Sequence, residues 1–293
     1  MNQYNNKKVA ASISIIVSFS LFCLKISFGL LTNSLSIIAS AIDSFVDLSA
    51  SIINYFSIYH SSKPADEEHK YGHEKAEAIA ALFQGFIIIT TSLFLIFEAL
   101  KRLNSNTILQ QLDKGIIIMI ISLFTSFILS RFLKKVAINT ESIALHADSF
   151  HFKTDLYTNI TIISGLFLVK ITGLTTLDSL ITILVSVYII YSTYEIIKNS
   201  IDVLMDRELS QDKLSIIESV INEHSKEIKG FHKLRTRKTG ATKFIEFHLE
   251  VNKKLSFIVA HDLSEEIIKE LERRIPNSEI IVHVDPSEYP DYS

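Results

Sequence analysis

Six mostly apolar stretches of about twenty residues or more follow one another through the first two thirds of this chain, and they constrain it to a bundle of membrane-spanning helices. They cover residues 9–31, 35–59, 76–100, 115–137, 142–170 and 176–198, with a short turn around 32–34. A helix needs ~20 such residues to cross a bilayer. Only helices or closed barrels satisfy their backbone there. The first stretch is preceded by Lys7 and Lys8, as in a signal peptide. It is longer than a signal core, however, and no small-residue cleavage site follows it.

Charge divides the chain in two. Positions 1–200 hold 29 charged side chains and the much shorter stretch 201–293 holds 32, so a water-soluble domain follows the membrane one. The expected domains are 1–206 and 207–293. With an even number of spans both termini share a side. If that side is the cytoplasm, the inner loops hold Lys7, Lys8, Lys63, Lys70, Lys75, Arg131, Lys134 and Lys135. The outer loops hold only Lys101, Arg102, Lys114 and Lys170. The excess inside predicts cytoplasmic N- and C-termini.

The tail alternates helical and strand patterns. Residues 211–224 carry Ile216, Ile217, Val220 and Ile221 on one helix side. Residues 233–237 and 244–251 read as strands joined by a turn at 239–241, 261–274 as a helix ending before Pro276, and 279–284 as a last strand. The order αββαβ predicts a small α+β sandwich with its helices on one sheet face. A nucleic-acid role for Arg235, Arg237 and Lys238 is excluded, because 14 basic against 18 acidic side chains in the tail leave no basic footprint. A single cysteine, Cys23, excludes a disulfide framework and any cysteine-cluster metal site.

Chemistry enters through charges placed where lipid is expected. Asp43 and Asp47 lie mid-way along the second span, and an Asp there costs ~2.5–3.5 kcal/mol on insertion scales. Their four-residue spacing stacks them on one helix face, where they repel unless a cation or proton joins them. The fifth span repeats the device with His151 and Asp155. Three carboxylates and an imidazole make a tetrahedral set for a divalent transition metal, with a buried polar network between helices as the alternative. Lys153 points away from His151, to pair with an acid or to snorkel to an edge. Lys25, Asn54 and Asn159 read as ordinary bundle polarity. Asp148 and His146 fit an entry vestibule or a simple interface equally.

Two further groups are less constrained. Asp66, His69 and His73, in the loop 64–75, share a face if that loop turns helically; an ordinary acidic loop is the alternative. The tail holds His224, His232, His248, His261 and His283, with Asp285 two residues beyond the last, on the same strand face. Spacing alone does not bring these segments together.

These residues in this order resemble the cation diffusion facilitator family, particularly bacterial zinc and ferrous-iron efflux pumps, over nearly the whole chain. The segments that carry the resemblance are 40–47, 64–77, 147–155, 232–240, His248, His261 and 283–286. The resemblance implies a transport site of Asp43, Asp47, His151 and Asp155 and a loop site of Asp66, His69 and His73. It implies a binuclear cytoplasmic site of His232, His248, His261, His283 and Asp285. It also implies a homodimer in a bacterial inner membrane, a metallochaperone-like tail, and an interprotomer salt bridge between Lys75 and Asp206. Lys153 and His146 depart from residues common among relatives.

The expected function is therefore export of Zn²⁺, with Fe²⁺, Cd²⁺ or Co²⁺ as further substrates, and no enzymatic activity. Zn²⁺ also serves as a regulatory or structural ligand, with no organic cofactor. Moving a dication out of a negative interior costs ~4.6 kcal/mol per 100 mV, twice the single-charge figure. Export then needs a coupled gradient. Carboxylates and imidazole bind protons as well as metal, which predicts metal/proton antiport by alternating access.

Overall fold

The computed structural model describes residues 2–32, 35–103, 116–172, 176–224 and 228–287. The expected turn at 32–34 lies largely outside these residues, as do Lys114 and the start of the fourth span. By internal contacts the chain forms two compact units, Met1–Ile201 and Asp202–Ser293.

The first unit is helical. It comprises α1 (Asn2–Thr32), α2 (Leu35–Ser61), α3 (Lys75–Leu103), α4 (Ile116–Thr140), α5 (Ile143–Thr172) and α6 (Thr176–Leu204), whose last residues pass into the second unit. Among the described residues, Tyr4–Leu31, Lys75–Leu103 and Thr176–Leu204 are long and apolar enough to cross a membrane by length and composition. The helices extend past the expected spans because their polar ends continue the hydrogen-bonded ladder into the aqueous boundary. Small residues let them approach closely. Ala10, Ala11, Ala137 and Ala144 are buried with Ile58, Leu133, Leu145 and Phe152. At Gly85 of α3, a Cβ would stand 2.7 Å from Cγ1 of Ile197 on α6.

Polar ties lock this bundle as well. The Lys7 ammonium is buried and donates to Oε1 of Glu77 at 2.8 Å. Glu77 also accepts from Ser61 at 3.1 Å and Ser142 at 2.5 Å. One carboxylate thus joins α1, α2, α3 and the start of α5. Breaking such a pair strands an uncompensated buried charge.

The second unit follows the expected αββαβ order: α7 (Gln211–Glu223), β1 (Ile228–Thr239), β2 (Thr242–Val251), α8 (Phe257–Arg274) and β3 (Ser278–Pro286). The sheet order is β1-β2-β3, β1 antiparallel and β3 parallel to β2. Ile245, Phe247, Leu249 and Val251 alternate into a core with Ile217, Val220 and Ile221 of α7 and Leu263, Ile267 and Leu271 of α8. Both helices therefore cover one sheet face. β1 runs from 228, well before the expected 233, because a bulge between His232 and Arg235 carries the pairing past Lys233, which takes a left-handed φ of 52°. α8 starts at 257, ahead of the expected 261, because Ser256 caps it by accepting from the Val259 N–H.

Candidate metal centres

The mid-span cluster is set by α2 and α5. Asp47, His151 and Asp155 place one ligand atom each within 4.8 Å of one another, with His151 buried. His151 Nε2 lies 2.9 Å from Asp47 Oδ1 and 4.0 Å from Asp155 Oδ2. His151 Nδ1 is buried without a hydrogen-bond partner, so the ring is held by its Nε2 side. Asp43, expected as the fourth ligand, stands outside this trio. It is exposed, one turn from Asp47 along α2.

Asp148 proves to be interior rather than a vestibule residue. Its Oδ2 accepts from Ser14 at 2.7 Å and its Oδ1 from Gln84 at 3.2 Å, and Gln84 in turn accepts from Asn54 at 2.7 Å. Four helices meet at this carboxylate, three residues before His151. Among the described residues Lys153 pairs with no acid. Its ammonium lies over the rings of Phe150 and Tyr157, 5.9 and 5.4 Å from their centroids.

The loop group forms without the helical turn on which its shared face depended. Asp66 Oδ1 accepts the backbone N–H of Glu68 at 3.0 Å and of His69 at 2.6 Å, an Asx turn. This fold-back leaves Asp66 Oδ2 3.2 Å from His73 Nε2 and the His69 and His73 rings 4.6 Å apart. The His69 N–H does most to hold the Asp66 carboxyl below its usual range, outweighing slight burial, with the Glu68 N–H and the His73 charge adding to it.

In the tail, strand register does what spacing left open. His232 pairs with His248 across β1–β2, and His248 with His283 across β2–β3, so three histidines form one row across the sheet. The next row on the same face is Gly230, Glu250 and Asp285. Both rows lie on the face away from the helices. His232, His248 and Asp285 place ligand atoms within 4.8 Å of one another. Asp285 Oδ2 is 2.8 Å from His248 Nδ1 and 3.4 Å from His232 Nε2, and its Oδ1 is 3.0 Å from His283 Nε2. Burial raises the Asp285 carboxyl, but the hydrogen bond from His248 and the charges of His283, His248 and His232 leave it below its usual range. His261 does not join this group among the described residues. It sits exposed near the start of α8, stacked on Phe257 at 6.3 Å. The donor set, imidazole nitrogens with a shared carboxylate, suits zinc.

Residues 11–205 match the cation efflux transmembrane domain, and residues 209–287 match the cytoplasmic domain of cation efflux proteins. The chain belongs to the cation efflux family. A cation-efflux pump FieF of Yersinia enterocolitica is 36% identical over 280 residues, covering 96% of this chain and 93% of the pump. One from Klebsiella pneumoniae is 35% identical over 289 residues, covering 98% and 96%. Among solved structures, the metal-bound C-terminal domain of the CzcD transporter from Thermotoga maritima is 28% identical. It covers 28% of this chain and 100% of that one, with a TM-score of 0.26. Family membership makes this a membrane transporter of cations and not an enzyme.

Two functional neighbours of this cation efflux protein's clusters escape a reading of the sequence. Glu250 Oε1 lies 2.9 Å from His232 Nδ1. Its position two residues after His248, on the polar face of an alternating strand, is the one signal for it. Lys25 Nζ donates to Ser44 Oγ at 2.7 Å, beside Asp43, where the sequence suggests only bundle polarity. No local spacing marks that lysine, because its partner is on another helix.

Proposed function

We propose that the chain exports divalent transition-metal ions, zinc foremost, from the cytoplasm in exchange for protons. The observation that carries this reading is the cluster of Asp47, His151 and Asp155 on two helices of the transmembrane unit. Buried ionisable groups there are costly and mark ion or proton pathways. One nitrogen and carboxylate oxygens suit zinc and tolerate ferrous iron, cobalt and cadmium. Asp43, one turn from Asp47 on α2, completes four ligands once α2 shifts relative to α5. That shift is the change alternating access requires. Deprotonated ligands bind metal and protonated ones release it, so protons taken up outside discharge the ion. The naming of the relatives as cation-efflux pumps supports export as the direction.

Residues 1–206 form the transport domain and 207–293 a cytoplasmic metal-binding and dimerisation domain, both termini lying inside a bacterial inner membrane. Asp66, His69 and His73 hold a peripheral ion near the cytoplasmic surface. His232, His248, His283 and Asp285 hold zinc on the open sheet face, with His261 joining after α8 or its neighbours adjust. A bound ion there cross-links three strands and stabilises the form that holds it. Lys75 and Asp206 pair between protomers. The test is zinc flux into proteoliposomes under an imposed pH gradient. Gradient-dependent flux supports antiport. Zinc binding without any such flux returns the chain to a membrane-anchored sensor.

A further inference from the structure

Lys25 is a positive charge among groups suited to cations, and neither the ligand sets nor the helix packing gives it a task. It stands half-buried on α1, and its Nζ donates to Ser44 Oγ on α2 at 2.7 Å. Ser44 is buried and adjoins Asp43 in sequence, three residues before Asp47. The ammonium acts electrostatically on Asp43 and on Asp155. Lys153, by contrast, is engaged by the rings of Phe150 and Tyr157. An ammonium offers three donors and no acceptor, so Lys25 is not itself a metal ligand.

We propose that Lys25 sets the charge of the transport site so that a single dication neutralises it, which makes it a selectivity and release residue rather than a ligand. This rests on the transport-site assignment above. Once deprotonated to receive metal, the ligands Asp43, Asp47 and Asp155 bring three negative charges and His151 none, and the Lys25 ammonium brings that set to a net −2. One dication cancels that charge. Without Lys25 the site stands at −3, and a bound dication leaves an uncompensated negative charge away from water, where charge is costly. The extra attraction then holds the ion and slows its release. The bond to Ser44 keeps the ammonium beside α2, at the residue that follows Asp43. It serves as a tethered counter-charge while the site is empty.

The test uses the full-length protein with His73→Ala and His248→Ala removing the other two clusters, and reads equilibrium zinc binding in detergent alongside zinc flux in proteoliposomes. Lys25→Gln is expected to bind zinc about tenfold tighter or more and to carry it more slowly, kcat and KM falling together. Lys25→Arg, which keeps the charge, is expected to stay near the parent in both. Lys25→Met, an apolar replacement of similar length, gives the same reading should Lys25→Gln fail to fold. Zinc affinity that is unchanged or weaker in the neutral variants overturns the proposal, as does Lys25→Arg tightening zinc as they do. Asp155→Ala separates the two levels. If it binds zinc as the parent does, the transport-site assignment fails; if it loses zinc while the neutral variants match the parent, only the charge-setting role fails.

Discussion

The carboxylate of Glu250 on β2 reaches across to β1 and meets the imidazole of His232, Oε1 to Nδ1, at 2.9 Å. An ionised carboxylate only accepts, so Glu250 takes the Nδ1 proton and leaves Nε2 as the atom that would ligate an ion shared with Asp285, whose Oδ2 is 3.4 Å away. Fixing a ligating histidine through its second nitrogen is worth ~10–100-fold in metal affinity. Glu250→Ala is therefore expected to weaken zinc binding by the 207–293 fragment about tenfold or more while leaving its unfolding midpoint without metal nearly unchanged. Calorimetric titration of wild-type and variant fragments checks this. Equal affinities would make Glu250 a surface partner only.

Asp155→Ala is expected to abolish zinc transport in a protein that still folds and dimerises. Asp155 is one of three clustered ligands, and nothing in the helix packing depends on it as the packing depends on Phe152 or Leu145. Its loss leaves three of the four ligands, His151, Asp47 and Asp43, an incomplete tetrahedral set with one negative charge fewer to hold a dication. Flux assays in proteoliposomes, with size-exclusion chromatography to verify assembly, decide it. Wild-type flux in a correctly assembled Asp155→Ala protein would remove the mid-span cluster from the transport path.

How much of the site is legible in the sequence depends on whether a signal is local. Four-residue spacing on one helix is local, so the pairs Asp43/Asp47 and His151/Asp155 stand out from the amino-acid order alone. Alternation at 244–251 marks a tail strand, and the burial of Ile245, Phe247, Leu249 and Val251 bears that out. Register is not local. The alignment of His232, His248 and His283 depends on a bulge at Lys233 and on a parallel pairing delivered by α8, neither of which spacing encodes. Lys25 and Asp148 are conspicuous as charges, but their meaning lies in Ser44, Ser14 and Gln84 on other helices. The loop cluster arises from an Asx turn, whereas its three- and four-residue spacing points to a helical one.

The tail should lose stability in acid through Glu223. Arg274 on α8 grips it with two bonds, Nη1 to Oε1 at 2.9 Å and Nη2 to Oε2 at 2.6 Å, tying α7 to α8. The hydrogen bond from Arg274, with its charge, holds the Glu223 carboxyl below its usual range despite repulsion from Glu270. The unfolded chain thus binds the proton more readily than the folded one. The pair's contribution is fully present above about pH 4.3 and is lost as pH falls through the lower folded value. Urea midpoints of the 207–293 fragment at pH 6 and pH 3 are expected to fall further for the wild type than for Glu223→Gln. Parallel falls would show that the pair adds nothing, as for many exposed pairs.

His151→Asp tests which property of the transport site selects the metal. The imidazole is the only nitrogen in the mid-span cluster, and its Nε2 is the atom that faces Asp47 and Asp155. Nitrogen ligands favour zinc over manganese, whereas an all-oxygen set accepts harder cations such as manganese. The substitution also adds a negative charge beside Asp47, which strengthens attraction for any dication and for protons. The variant is therefore expected to transport manganese that the wild type rejects, and to lose its preference for zinc. It should also shift its pH profile upward, because a fuller set of carboxylates holds protons more tightly. Flux measured with zinc and manganese side by side, from pH 6 to 8, gives both readouts. A variant that keeps the wild-type metal ranking and the same pH profile would mean that His151 does not touch the transported ion.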